Sequence, residues 1–495
     1  AARFANSRTK DAHMNDLTPN LEIQIELEKL AQYLTLDDTT WQALVDAGAG
    51  SLRELREHIE QEIYNQHRKG FQHLASWTRW LSIKQLAKLA YAIGAKMAAR
   101  LVGEMDPYFA VKVARRLTPD FLGEIAAQAD PRKIREIIRR LPAEVIREVA
   151  LKQIQEKQFL LLGRFADALS APSIREVVNA VKDDGALLTI AFYMENTTQL
   201  SNVIRMIDNS RLASIVRSGT ENVDLWPKAI WVIDHVEGEL KSRLGNIMAE
   251  QDERTLDSLV DVAHRQQLWG PVLRALSVIN PRYHRKIVNL PSLRNSAVIT
   301  DLVNAAVSKN LLEETLPLVK AMQRDYREVV AHTALRQGEE VAEAVVQAAH
   351  QSGQWDLILD LAQFLGDDER NMLARLPSTH NPSVIEALMR NAAKLGKTDL
   401  LLDFARRFHR EGLQTVVEIS LRDGGDLLQA FLDAARDTRN GWQAIATAVS
   451  VVDAQDMLRD IGRIYQRQNP QDQQAFREAA NETGLWSRLE QALPA

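Results

Sequence analysis

Apolar residues recur three and four positions apart along almost the whole chain. Val262 to Leu268 and Leu335 to Val346 are ordinary examples. That spacing marks one face of an α-helix, whereas a half-buried strand would alternate residue by residue. No convincing run of alternating β-branched residues occurs. Turn-forming residues are scarce as well, with 22 glycines and 15 prolines in 495 residues. A sheet protein needs more of them between its strands. The pattern predicts an all-α fold, a right-handed α-solenoid or superhelix of short helical repeats with no β-sheet.

The second half repeats at about 43 residues. Each copy carries an Ala-Ala or Ala-Val pair, a polar break, a Trp or its equivalent, and a Leu-rich helix. The anchoring alanines are Ala263, Ala306, Ala349, Ala393, Ala435 and Ala480. Trp226 and Trp269 stand 43 apart, as do Leu312 and Trp355. A second marker keeps the register: Leu290-Pro291-Ser292 recurs as Leu376-Pro377-Ser378, 86 residues on. Forty-three residues fit three short helices, for example 298–309, 312–322 and 326–336. One such unit leaves an apolar face that only its neighbour covers. The alanines let adjacent helices approach, and the Trp fills the groove between units, each buried side chain contributing roughly 1.5–3 kcal/mol.

A shorter rhythm precedes the long one. Asp106-Pro107, Thr118-Pro119, Asp130-Pro131 and Leu141-Pro142 fall at steps of 12, 12 and 11. Asp or Thr suits an N-cap and Pro the first helical turn, so each pair is expected to open a short helix. The division expected is a disordered tail or cloning remnant over 1–20, a helical cap over 21–81, short superhelical repeats over 82–170, and about seven 43-residue repeats over 171–495. Met14 after His13 is where a native start would fall if the first residues are a remnant. Within the cap, Ser51 is expected to start a long charged helix after a break at Gly48 to Gly50, and Phe71, Trp77, Trp80 and Leu81 to form an aromatic patch. That segment reads either as a seal on the first repeat or as a partner-binding element anchored on Trp77 and Trp80.

The stretches Leu101 to Asp106-Pro107, Val113 to Pro119 and Ile134 to Leu141-Pro142 resemble the superhelical N-terminal domain of bacterial MgtE-type magnesium transporters and the armadillo-like middle part of the flagellar switch protein FliG. The resemblance covers about 80 residues. It implies a helical superhelix and no magnesium handling. More broadly the chain resembles HEAT- and armadillo-like solenoids.

Chemistry is largely absent from the sequence. There is no cysteine, hence no disulfide framework, Cys-ligated zinc, iron–sulfur cluster or thiol nucleophile. No cofactor, metal or catalytic residue is assigned. The apolar runs are too short to span a bilayer and the first twenty residues lack a signal-like apolar core, so a cytoplasmic place is expected. Gly396-Lys397-Thr398 ends like a phosphate loop, but Asn391 stands where the first Gly belongs, so it reads as a turn between helices. His58, His67 and His73 read as surface residues. His264 and His350 hold equivalent places at helix ends, where a His suits the dipole.

Basic residues number 61 and acidic residues 66, a net −5 with pI near 6.2. Within 112–157, however, eleven basic residues face seven acidic ones. Arg132, Arg135, Arg139 and Arg140 are the candidate surface for an anionic partner, with the first three expected on one helix face. The alternative is a solvated face laced with Glu, as at Glu136. Trp77 and Trp80 are the candidate aromatic contacts. The leading functional expectation is a non-enzymatic scaffold or adaptor for a protein or peptide. The alternative is a HEAT-like nucleic-acid-binding protein, possibly similar to DNA glycosylases of that shape, using the arginine face. A third reading is an apolar ligand held inside the superhelix.

Overall fold

The computed structural model describes residues 17–492 except 35–37, 66–67, 79, 424–425 and 439. The described residues form helices, turns and loops, with no strand among them. Two compact units divide the chain, residues 1–283 and 284–495.

The first unit begins with α1 (Leu17–Leu30), α2 (Asp38–Val45), α3 (Gly48–Asn65) and α4 (Arg68–Thr78). Helix therefore starts inside the stretch expected to be a tail, while residues 1–16 lie outside the described chain. Gly48 and Gly50 open α3 rather than separate it from its neighbour. Next come α5 (Ile83–Val102), α6 (Pro107–Ala114), α7 (Pro119–Gln128), α8 (Arg135–Arg140), α9 (Ala143–Gln155), α10 (Phe159–Ala166), α11 (Ala171–Ala180), α12 (Asp184–Phe192) and α13 (Thr197–Met206).

Three of the four prolines stand at a helix start, Pro142 as the N-cap of α9 and the other two in the first turn behind a side-chain cap. Asp106 accepts from Phe109 N at 3.0 Å and Thr118 from Phe121 N at 3.4 Å, each with Pro at the first turn. Asp130-Pro131 does not open a helix. Asp130 Oδ1 takes the Arg132 N–H at 2.9 Å, closing a turn, and α8 begins only at Arg135. The short side-chain bond outcompetes the helical one.

The 43-residue register is visible as a recurring long helix: Asn209–Glu221, Glu253–Arg265, Ser296–Ser308, Glu339–Ser352, Pro382–Lys394, Asp426–Asp437 and Pro470–Glu482. Starts step by 43 or 44 residues. Each is followed by a shorter helix, such as Trp269–Ser277 or Leu312–Lys320, and in most copies by a third. Side chains of Asp208, Asp252, Asn295, Asn381 and Asn469 cap five of the long helices.

Five of the seven C-termini share one hydrogen-bond pattern. Leu268 N, Leu311 N, Gln354 N, Lys397 N and Leu485 N each reach back five residues, to the carbonyls of Ala263, Ala306, Ala349, Ala392 and Ala480, at 2.8–2.9 Å. The residue just before each donor is left-handed: Gln267, Asn310, Gly353, Gly396 and Gly484, with φ between 54° and 71°. This is the Schellman closure, which satisfies carbonyls the helix leaves open. Gly396-Lys397-Thr398 is therefore a helix terminus.

The alanine at the start of that closure is almost wholly buried, and the fourth copy uses Ala392 rather than Ala393, which restores a spacing of 43. Gly219 holds the same place in the helix 209–221. A methyl there would meet the Trp226 ring at 2.9 Å. Trp226, Trp269 and Trp355 are buried. Trp226 also donates from Nε1 to Ser258 Oγ at 3.0 Å, on the next long helix. Stacking then runs unit on unit: α12 packs on Trp226–His235, which packs on Trp269–Ser277. In the second unit Leu312–Lys320 packs on Glu339–Ser352, and Gly441–Ser450 on Pro470–Glu482. This is an all-α solenoid arrangement within each unit.

Cross-repeat ion pairs share the period. Arg370 Nη1 lies 2.7 Å from Asp403, and Arg327 pairs with Asp360 one copy earlier.

Gly353 has open space around its Cα, so Gly353→Ala costs only backbone strain, about 1–2 kcal/mol of unfolding free energy. Ala349→Leu overpacks a closed seam and should cost about 1–3 kcal/mol. Urea titration followed by circular dichroism checks both. A Gly353→Ala protein as stable as the parent would contradict the left-handed terminus.

Candidate interaction surface

Helix α1 presents Glu22, Glu26, Lys29 and Tyr33 at intervals of four, three and four, which place them on one stripe. A polar stripe normally faces water. Here it faces the helices that follow. Glu22 lies 3.2 Å from His235 Nε2, Lys29 Nζ 2.9 Å from Glu195, and the Arg164 guanidinium stands over the Tyr33 ring. From α3, Arg56 is 1% exposed and reaches Glu26 at 2.9 Å, Glu60 at 3.2 Å and Glu195 at 3.1 Å. Arg164 closes on Glu60 at 3.1 Å. Three carboxylates thus share a mostly buried network with three cations.

Burial works against charge on Arg56, yet Glu195, Glu26 and Glu60 hold its proton more tightly than usual. Burial pulls the Glu195 carboxyl upward, but Lys29 and Arg56 outweigh it and keep the group below its ordinary range. Asp167 beside them goes the other way. Burial pushes it up to about 6, although Oδ2 accepts from Glu195 N and Asn196 N at 3.2 Å each. Its Oδ1 is buried with no hydrogen-bond partner among the described residues. These groups line a polar cavity of about 440 Å³, with Arg132 and Arg135 on its rim.

The four candidate arginines are split by this arrangement. Arg132 lies in the turn ahead of α8, so the shared helix face expected for Arg132, Arg135 and Arg139 is not formed. Its guanidinium pairs with Glu60 and stands 3.4 Å from Glu57 and Asp130. Arg140 pairs with Glu136 at 2.6 Å. Arg135 and Arg139 are exposed.

The aromatic patch also divides. Phe71 is buried under the Arg100 guanidinium, whereas Trp77 is 72% and Trp80 88% exposed. Exposed large apolar side chains concentrate around them. Of eleven among the described residues, eight lie between Leu55 and Tyr108. The sequence reading passed over the charge of the same region. From 68 to 116, ten Lys and Arg face only Glu104 and Asp106, a balance of +8. A sliding charge count would have found it.

His58 and His73 are exposed, and His67 lies outside the described residues. His350 lies edge-on to Trp355 with ring centres 5.8 Å apart. An apolar cavity of about 170 Å³ sits among α5 to α10, walled by residues such as Ile93, Leu101, Ile125 and Ile138. No group of three or more His, Asp or Glu able to hold a metal ion occurs among the described residues. No helix among them is long and apolar enough to cross a membrane.

Arg56→Met removes the most buried cation shared by Glu26, Glu60 and Glu195, leaves Lys29 and Arg164 to balance three carboxylates, and should cost about 3–5 kcal/mol, read from urea unfolding. Asp167 has a folded pKa above its unfolded one, so the folded state binds the proton more tightly. Its contribution to stability therefore falls as pH rises from about 4 through 6. Asp167→Asn keeps an oxygen for both backbone donors. The variant should gain on the parent across that interval, and parallel melting curves at pH 4 and pH 7 would show it.

No family model matches the chain, and no curated protein matches it. Among solved structures, it is similar to a circular tandem repeat protein with a novel repeat topology at 12% identity, covering 96% of each chain, with a TM-score of 0.16. It is also similar to a pentatricopeptide repeat protein in complex with an 18-nt RNA element at 12% identity, covering 87% of this chain and 79% of that one, with a TM-score of 0.17.

Proposed function

We propose that the protein is a non-enzymatic scaffold or adaptor that binds a protein or peptide through the solvent-facing side chains of its helical repeats. The observation that carries this reading is the recurrence of one helix terminus, with the same backbone bond and the same buried alanine, in five of the seven copies, four of them in succession at a spacing of 43 residues. Such termini hold the exposed faces of successive copies in a common register, which suits a partner with an extended binding segment. In this reading the MgtE-like stretch contributes helix pairing alone, and the protein works in the cytoplasm.

The nucleic-acid alternative rests on Arg135 and Arg139, which remain exposed while Arg132 and Arg140 are engaged by glutamates. Two available guanidinium groups would give a slope of only about −2 in log affinity against log salt.

Immobilised protein incubated with native extract should retain a discrete partner, and cross-links should map to exposed positions on at least two consecutive repeats. Retention confined to nucleic acid, with no protein cross-linked to the repeats, would replace the scaffold reading with its alternative.

A further inference from the structure

The strongest unassigned surface lies outside the 43-residue repeats, on α4, α5 and α6. The sequence segment 68–116 that carries it has a balance of +8 in a chain of net −5. On α5, Lys84, Lys88 and Tyr91 follow at i, i+4 and i+7, and all three are exposed. On α6, Tyr108, Lys112 and Arg115 repeat that spacing, exposed as well, with the Lys112 ammonium 4.3 Å from the Tyr108 ring centre. Leu81 and Ile83, where α4 turns into α5, share one apolar cluster with Phe109, Val113 and Leu117 at α6. The basic helices are thus clamped beside Leu81, next to Trp80 and just past the last turn of α4, where Trp77 stands.

We infer that this surface docks on an anionic lipid membrane, with Leu74, Trp77 and Trp80 entering the headgroup boundary and the surrounding lysines and arginines facing lipid phosphates. The inference is independent of what the repeats bind. Charge complementarity selects an anionic partner and disfavours a second copy of the chain, which would bring two basic surfaces together. The shape of the apolar part selects lipid. Trp77 and Trp80 stand free at a helix end, where indole rings suit the interface between headgroups and acyl chains. Leu74 and Met97, also exposed, offer nothing to a nucleobase stack, whereas an acyl boundary accepts both. An acidic protein would need a rigid pocket for the two indoles, whereas a bilayer deforms around them.

The full chain is sedimented with vesicles of phosphatidylcholine and phosphatidylglycerol at 3:1, and with vesicles of phosphatidylcholine alone. Binding is expected to the anionic vesicles only and to fall when salt is raised from 0.05 to about 0.5 M. Replacing Lys84 and Lys88 by Gln should weaken it about five-fold per charge. Trp77→Ser with Trp80→Ser should weaken it roughly tenfold or more. All four side chains are exposed, so the melting curve should not move. Absence of binding to anionic vesicles at low salt overturns the proposal. So does unchanged binding by the Trp variant, or displacement from vesicles by a single-stranded oligonucleotide bound through Trp77 and Trp80.

Discussion

The close approach of helices at a small residue is what the rest of the repeat architecture stands on. The long helices end on a buried small residue, Gly219, Ala263, Ala306, Ala349, Ala392, Ala435 or Ala480, and the approach of the follower is tightest at Gly219 against Trp226 and at Ala435 against Gly441. A larger residue would push the follower outward, and the Trp or Leu that opens it would lose its seat. The Schellman closure makes the same demand from the backbone side. It turns the chain through a left-handed residue and returns it within one or two positions, so the next helix starts at a fixed angle. Side-chain size and backbone conformation therefore enforce one geometry together.

The leading helix of the first unit is held by a different force. It brings charges into the protein, and those charges have value only as a set. Removing Arg56 leaves carboxylates whose solvation has already been lost. Removing the whole set in favour of well-packed apolar groups need not be costly. The network is thus better understood as fixing which surfaces meet than as supplying stability. Asp167, next to it, shows the limit of the arrangement. It sits among cations engaged elsewhere, and burial dominates its proton affinity.

Much of this was legible beforehand, and the failures have physical causes. The 43-residue period, the inward tryptophans and the turn at Gly396 follow from local sequence, because small residues, glycine and Trp recur at fixed offsets. Gly219 escaped because it is not an alanine, although it meets the same steric requirement. Ala393 was chosen over Ala392 because two adjacent alanines cannot be told apart without the backbone bond. Asp130-Pro131 looked like a helix start, but a competing side-chain bond to Arg132 N decided it. The buried stripe of α1 was invisible, since Glu26 and Lys29 are read as solvated until partners 27 to 166 residues away are placed beside them. The grouping of Arg132 with Arg135 and Arg139 failed with the Asp130-Pro131 helix start, because the turn closed by Asp130 leaves Arg132 ahead of α8; its pairing with Glu60, 72 positions earlier, was equally out of sight.

The regularity of the helix terminus bears on how such a chain can change over generations. Because each left-handed residue hands the backbone on in the same orientation, a deletion or duplication running from one of these points to the next rejoins two ends already in phase. Gain or loss of a whole module leaves both flanks undisturbed, whereas an insertion of a few residues throws every later helix out of step. Within the second unit, the tract between 296 and 394 is therefore free to vary in module number while staying intolerant of small changes in spacing.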